Sequence, residues 1–118
     1  MTEFNPIESQ SFEFAVRTVN MYKHLTNSYK EFDLFRQFLR SGTSIGANVA
    51  EAQKAQSHAD FYAKMYIALK EANETQYWIR LFYRTNYLSE SEYKSIRKDI
   101  DSIIGLLMAI TKSSKAKE

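Results

Sequence analysis

The side chains that could carry acid–base or metal chemistry are few, and their spacing matches no catalytic or metal-binding pattern. His24 and His58 are the two histidines. Neither has a glutamate three residues before it, as di-iron helix bundles require; Met21 and Ala55 stand there instead. The chain has no cysteine and no H-E-x-x-H sequence, and nothing places a serine nucleophile on a strained turn. We therefore expect a protein that is not an enzyme, with no catalytic residue, no metal and no cofactor.

Two pairs of polar residues stand three apart in segments of helical pattern. Glu71 and Glu74 form one pair, and Asn48 and Glu51 form the other. Paired carboxylates can serve acid–base catalysis or hold a hard cation. We favour a structural layer that sets helix register or a subunit joint and that also includes Trp78, with Lys70 pairing with Glu74 at a spacing of four. Such a layer needs every member partnered, because buried polar groups are costly otherwise.

Apolar periodicity predicts the elements that position these residues. Three glycines, one proline and the lack of sustained apolar–polar alternation argue against a sheet. Ser57 with Asp60, and Ser89 with Glu92, have the spacing of helix N-terminal caps. The chain is therefore predicted to be all-α, an antiparallel up-down-up-down bundle of four helices over about 9–27, 30–54, 58–86 and 90–112.

The same periodicity assigns the faces of these helices. The inward stripe predicted for helix one consists of Phe12, Val16 and Val19, extended by Tyr22 and Leu25. Helix three is apolar or aromatic nearly all round, with one face made by Phe61, Met65, Ala72 and Ile79. A second face, about 100° away, carries Tyr62, Tyr66, Asn73, Tyr77, Arg80 and Arg84, while Ile67, Trp78 and Phe82 point elsewhere. One bundle cannot cover such a helix, so we expect a subunit interface there.

Residues 41–56, SGTSIGANVAEAQKAQ, contain two glycines four apart. A phosphate loop needs G-x-x-x-x-G-K-[ST], and no lysine follows Gly46, so that function is excluded. We favour a continuous helix two in which Gly42 and Gly46 form a smooth strip for close helix packing, at about 1 kcal/mol per glycine in helix propensity. The alternative is a break at Gly42, with Ser44 capping a shorter helix.

Tyrosines and arginines on helix three have two readings. They could form a protein interface, since Tyr, Trp and Arg are enriched in interface anchors. They could instead stack on bases and contact phosphates of single-stranded nucleic acid. The residues concerned are Tyr62, Tyr66, Tyr77, Arg80 and Arg84, which Arg36 and Arg40 of helix two could extend. We favour the protein interface.

Charge and composition limit the possible partners, domain number and location of the protein. Residues 1–111 hold 13 basic and 13 acidic side chains, so the formal charge of +2 comes from the last seven residues. We expect one domain over residues 1–112 and a disordered Lys-rich tail over 113–118. The absence of cysteine, of a long apolar run and of a basic N-terminal signal favours a cytoplasmic protein.

A family resemblance lies in residues 44–88, SIGANVAEAQKAQSHADFYAKMYIALKEANETQYWIRLFYRTNYL. This segment resembles the signature region of the four-helix-bundle family encoded by intervening sequences of bacterial 23S rRNA genes, and is similar to the accessory protein of diversity-generating retroelements. The positions that match are Ser44, Ile45, Asn48, Ala50, Glu51, Lys70, Glu71, Glu74, Trp78, Tyr87 and Leu88. The resemblance implies a ring-shaped homopentamer and, for the retroelement members, binding to RNA or DNA and to a reverse transcriptase. It says little about biochemical activity, because most members of the family have no assigned activity.

Overall fold

The computed structural model describes residues 5–116. They form four helices, α1 (Pro6–Ser28), α2 (Phe32–Ala52), α3 (His58–Arg84) and α4 (Glu90–Ala116). Each helix packs on the next in chain order, and α4 returns to α1. The helices lie along a body of 45 × 27 × 22 Å. The predicted all-α, up-down-up-down four-helix bundle is confirmed.

The helix ends differ from the predicted ones for local reasons. α1 begins at Pro6 rather than at residue 9, because the Asn5 side chain accepts from the Glu8 N–H and caps the helix. Proline suits the first helical position, where its missing N–H has no intrahelical partner to lose. α2 is two residues shorter at each end than predicted. α3 ends at Arg84, and Asn86 then adopts a left-handed φ of 69° that stops the helix.

The fourth helix extends past its predicted end at residue 112. Residues 113–116, assigned above to a disordered tail, form its last turn. The Nε2–H of His58 donates to the backbone oxygen of Ser114 at 2.6 Å, and Ser114 is buried. This bond ties the end of α4 to the start of α3 and supplies a partner for a carbonyl that would otherwise lack one. Lys117 and Glu118 lie outside the described residues.

Both predicted helix caps are present. The Oγ of Ser57 accepts from the N–H of Asp60 at 3.0 Å and starts α3. At α4, the Oγ of Ser89 accepts from the Glu92 N–H at 3.1 Å, and Glu92 Oε1 accepts from the Ser89 N–H at 2.8 Å. This reciprocal pair is a capping box. The hydrogen bond from the Ser89 backbone N–H lowers the pKa of Glu92, with a smaller contribution from His24.

The inward stripe predicted for α1 is correct near the end of the helix, where Leu25 is buried and Tyr22 packs against the core, and wrong in its first half. Phe12 is 64% exposed and Val16 is 42% exposed. The buried residues of this helix are Ile7, Ser11, Phe14, Thr18 and Leu25. Two of those five are small and polar, so a search for large apolar side chains finds the wrong face. Phe82 of α3, predicted to point away from the core, is also buried within it.

α2 is one continuous helix through both glycines, as favoured above. A Cβ at Gly42 would lie 2.6 Å from the side chain of Thr18, and one at Gly46 would lie 3.0 Å from the backbone oxygen of Ser11. The glycines therefore let α1 and α2 approach more closely than side chains would allow. Thr18 is fully buried and bonds to the Phe14 carbonyl, so it has little room to move.

The seam between α1 and α4 is bridged by long polar side chains instead. Arg17 reaches Asp99 at 2.6 Å and also donates to the backbone and hydroxyl oxygens of Ser95. His24 and Glu92 lie 3.2 Å apart near one end of this seam. α1 is thus packed tightly on α2 and more loosely on α4.

No helix within residues 5–116 combines the length and the apolar character that crossing a membrane would require.

Substituting the glycine at the α1–α2 contact tests whether close packing explains it. We expect Gly42→Ala to lower the free energy of unfolding by about 1–3 kcal/mol, because the new methyl group overlaps Thr18. Gly105→Ala is the matched control, since a Cβ there meets nothing within 4 Å; it should raise stability by about 0.5–1 kcal/mol through helix propensity. Urea unfolding followed by circular dichroism measures both. Equal stabilisation of the two variants would contradict the close-contact interpretation.

Candidate interaction surfaces

The predicted polar layer lies along the groove between α2 and α3, but it is not one connected network. At its centre, Glu74 accepts from Arg40 Nη2 at 3.1 Å and from Trp78 Nε1 at 3.2 Å through the same carboxylate oxygen. Lys70, predicted to pair with Glu74, is exposed and lies within 4.0 Å of no carboxylate among the described residues. An arginine from the neighbouring helix therefore takes the place expected for the lysine.

The remaining members of the layer divide between two arrangements. Glu51 approaches Lys64 at 3.7 Å across the groove, a partly exposed pair. The Nδ2 of Asn48 donates to the Ser44 carbonyl of its own helix at 2.9 Å. One polar contact absent from the sequence analysis crosses the core, where the hydroxyl of Thr75 donates to that of Ser41 at 2.9 Å. Both residues occupy inward-facing positions of their helices, and their spacing from the apolar residues could have identified them. Their polar side chains argued against burial.

Glu71 is the exception in this groove. Its Oε2 atom is buried and has no hydrogen-bond partner within the part of the chain described by the structure. A buried carboxylate oxygen without a donor lowers stability by about 1–3 kcal/mol. The isolated chain thus carries an unsatisfied acceptor between α2 and α3, within three residues of the well-partnered Glu74.

Tyrosines and arginines meet in a second groove, at the opposite end of α3 from its N-cap. The groove is lined by Tyr77, Arg80, Leu81, Tyr83, Arg84 and Tyr93. Tyr83 and Tyr93 stack with ring centroids 4.1 Å apart and planes at 8°. Neither Arg80 nor Arg84 has a carboxylate within 4.0 Å inside residues 5–116. We call this set of six residues the Tyr–Arg groove.

One further arginine stands beside the Tyr–Arg groove but is held by its own helix. Arg97 donates to both carboxylate oxygens of Asp101 at 3.0 Å and to the Tyr93 hydroxyl at 2.7 Å. The hydrogen bond to Asp101 is the main reason that the pKa of Arg97 is raised above its ordinary value. Arg97 therefore orients Tyr93 and is committed to Asp101.

The other residues of the predicted Tyr/Arg surface lie elsewhere. Tyr62 and Tyr66 stack on each other with centroids 5.9 Å apart, near the start of α3. Arg36 pairs with Asp33 of its own helix at 3.4 Å, and Arg40 with Glu74. The structure therefore brings together Tyr77, Arg80 and Arg84 of the seven predicted residues.

Large apolar side chains remain exposed on all four helices. Tyr66 and Tyr77 on α3 are 47% and 53% exposed, and Ile67 lies exposed beside Tyr66. The set is completed by Phe12 and Val16 of α1, Phe32 of α2, Met108 of α4 and Tyr29 between α1 and α2. Trp78 is only partly exposed, because it packs between Tyr77 and Phe82. Within residues 5–116, no group of three or more His, Cys, Asp or Glu residues is placed to hold a metal ion.

Comparisons with known proteins agree with this architecture. A family model described as 23S rRNA-intervening sequence protein matches residues 5–109. A crystal structure from Bacteroides thetaiotaomicron VPI-5482, described as a protein with unknown function from the S23 ribosomal protein family, is 56% identical and superimposes with a TM-score of 0.88. That alignment covers 90% of this chain and 98% of the other. No curated protein matches the chain.

The two neighbouring glutamates of α3 should respond oppositely to an apolar replacement of similar length. We expect Glu71→Met to raise the free energy of unfolding by about 1 kcal/mol, because it removes a buried acceptor that has no donor. Glu74→Met should lower it by about 1 kcal/mol, since it removes the acceptor for Trp78 and Arg40. Urea unfolding at low protein concentration distinguishes them. A loss of stability in Glu71→Met would show that its carboxylate has a partner.

Proposed function

The chain belongs to the 23S rRNA-intervening sequence protein family, and we propose that it acts without catalysis, as a self-assembling helical scaffold. The assembly is a homo-oligomer in the bacterial cytoplasm. A ring of five subunits is the form that the family resemblance implies. Its role is to present several copies of the same surface to a partner.

The exposed apolar surface is the observation that carries this proposal. A half-exposed aromatic side chain leaves about 100 Å² open, worth about 2.5 kcal/mol when covered. Four such side chains would contribute about 10 kcal/mol, which is comparable with the ~4–15 kcal/mol that association costs. Tyr66 and Tyr77 supply two of these, and Phe12 and Met108 two more. A stable joint therefore has to draw on several exposed apolar side chains, on more than one helix.

Light scattering on a gel-filtration column tests the proposal. The wild-type chain should elute at tens of micromolar with several times its own mass of 13.8 kDa. Tyr66→Lys should shift the peak towards the monomer, because it replaces an apolar contact with a charge. Asn20→Lys is the control, since it adds the same charge at an exposed polar site on α1. A wild-type monomer at that concentration would overturn the proposal.

A second function is favoured by the Tyr–Arg groove. Arg80 and Arg84 stand beside three tyrosine rings and have no carboxylate partner among the residues described. Aromatic rings that stack on bases, together with arginines for phosphates, are how proteins bind single-stranded nucleic acid. The alternative is thus an RNA- or DNA-binding accessory protein that works with a reverse transcriptase, as the family resemblance implies for the retroelement members.

Titration of a fluorescent 20-nucleotide single strand, as RNA and as DNA, tests this second function. Arg80→Ala with Arg84→Ala should weaken binding across sequences and reduce the slope of log affinity against log salt by about 1 for each arginine. Arg36→Ala is the control, because Arg36 lies outside the groove and pairs with Asp33. No binding by the wild type at low salt would exclude nucleic acid as the partner.

A further inference from the structure

A phenylalanine flanked by two acids stands out from the first half of α1. Phe12 is the most exposed of the large apolar side chains described. Glu8 and Glu13 lie on either side of it, above a floor made by Gly46 and Ala50 of α2. Neither glutamate has a basic side chain within 4.0 Å in the described range, and the Glu8 carboxylate accepts one hydrogen bond there, from the side-chain amide of Asn5. We call Glu8, Phe12 and Glu13 the acidic knob.

A groove of the opposite charge lies between α3 and α4. Its walls are apolar and include Tyr62, Leu69, Met108 and Ala109, with Lys112 and Lys115 along its edge. Met108 is 57% exposed, so the wall is open to a partner. Neither lysine meets a carboxylate within 4.0 Å over residues 5–116. We call these six residues the basic groove.

The two surfaces lie at the same end of the bundle, on opposite sides. The side chain of Asn5 bonds to Gln53, which places the start of α1 beside the end of α2. His58 bonds to Ser114, which places the end of α4 beside the start of α3. The acidic knob is at the α1–α2 seam and the basic groove at the α3–α4 seam. Because the helices follow one another around the bundle, these seams face away from each other.

We infer that the acidic knob of one copy binds the basic groove of the next, with Phe12 against Met108 and Tyr62 and the glutamates against Lys112 and Lys115. This inference rests on the proposed self-assembly and names the surfaces that meet. The occupant is a second copy of this chain, because it carries the apolar side chain and the two unpaired acids that the groove complements. A head-to-tail contact between two different surfaces at one height keeps the bundles parallel, and it gives a closed ring when the rotation between neighbouring copies closes.

The apolar contact supplies affinity here, and the charges supply register and specificity. Exposed ion pairs contribute little to binding, but like charges brought together are strongly unfavourable. Charge reversal is therefore a sharper test than charge removal. The two variants are Glu8→Lys with Glu13→Lys, which reverses the knob, and Lys112→Glu with Lys115→Glu, which reverses the groove.

Each variant alone should run as a monomer where the wild type is assembled, with association weakened by about tenfold or more. An equimolar mixture should associate again, because each contact between unlike variants brings together surfaces of opposite charge. Two variants cannot alternate throughout a ring of five, so the mixture should form even-membered rings or open chains rather than the wild-type ring. Lys23→Glu with Lys30→Glu is the control, since it reverses two exposed lysines outside both surfaces and should leave assembly intact. Circular dichroism of each variant checks that the helices are retained.

The outcomes separate this inference from the function on which it rests. If the wild type assembles and either reversed variant does too, or if the mixture of two monomeric variants stays monomeric, the pairing of knob and groove is wrong while self-assembly stands. If the wild type itself is a monomer, self-assembly fails and the pairing fails with it. If an acidic peptide or a nucleic acid binds the groove and the wild type remains monomeric, the occupant is wrong as well.

Discussion

The close approach of α1 and α2 at Gly42 is the constraint on which the rest of the structure depends. A Cβ atom at Gly42 would overlap Thr18, and one at Gly46 would press on the backbone of Ser11, so the facing residues of α1 must be small. Ser11 and Thr18 occupy those positions, and their hydroxyls donate hydrogen bonds to backbone carbonyls of α1. With its inward face so occupied, α1 carries Phe12 and Val16 on the outside. The exposed apolar surface of α1 is thus a consequence of how α1 and α2 pack on each other.

The helix caps, the bundle and the continuous α2 were predictable from sequence, whereas several side-chain contacts between helices were not. Caps such as Ser89 with Glu92 join residues three apart, so their spacing alone identifies them. The inward face of the first half of α1 was misassigned because apolar periodicity assumes that the core takes large side chains. The Lys70–Glu74 pair was expected from spacing, yet Arg40 of α2 reaches Glu74 instead. Which residue reaches Glu74 depends on how α2 and α3 are shifted along each other. The sequence of neither helix alone determines that shift.

The Tyr/Arg face shows a further limit of reasoning from one helix. A projection down the axis groups Tyr62 with Arg84, but 22 residues separate them, about 33 Å along an α-helix. The structure accordingly pairs Tyr62 with Tyr66 near the start of α3 and gathers Tyr77, Arg80 and Arg84 near its end. Their partners come from α4, where Tyr93 stacks on Tyr83. The prediction therefore treated as one surface two groups of residues that share a face of α3 but lie at opposite ends of it, beside different neighbours.

Because the proposed assembly surfaces and the Tyr–Arg groove lie at different ends of the bundle, self-assembly and nucleic-acid binding are compatible proposals. The acidic knob and basic groove lie at the end where α3 starts, while the Tyr–Arg groove lies at the end where α3 stops. Assembly through the first end would leave Arg80 and Arg84 of every copy accessible. The folded part is nearly charge-balanced, so one Tyr–Arg groove would bind a nucleic-acid strand weakly. Several grooves on a common ring would bind the same strand with a much higher effective concentration, so self-assembly would turn a weak site into a useful one.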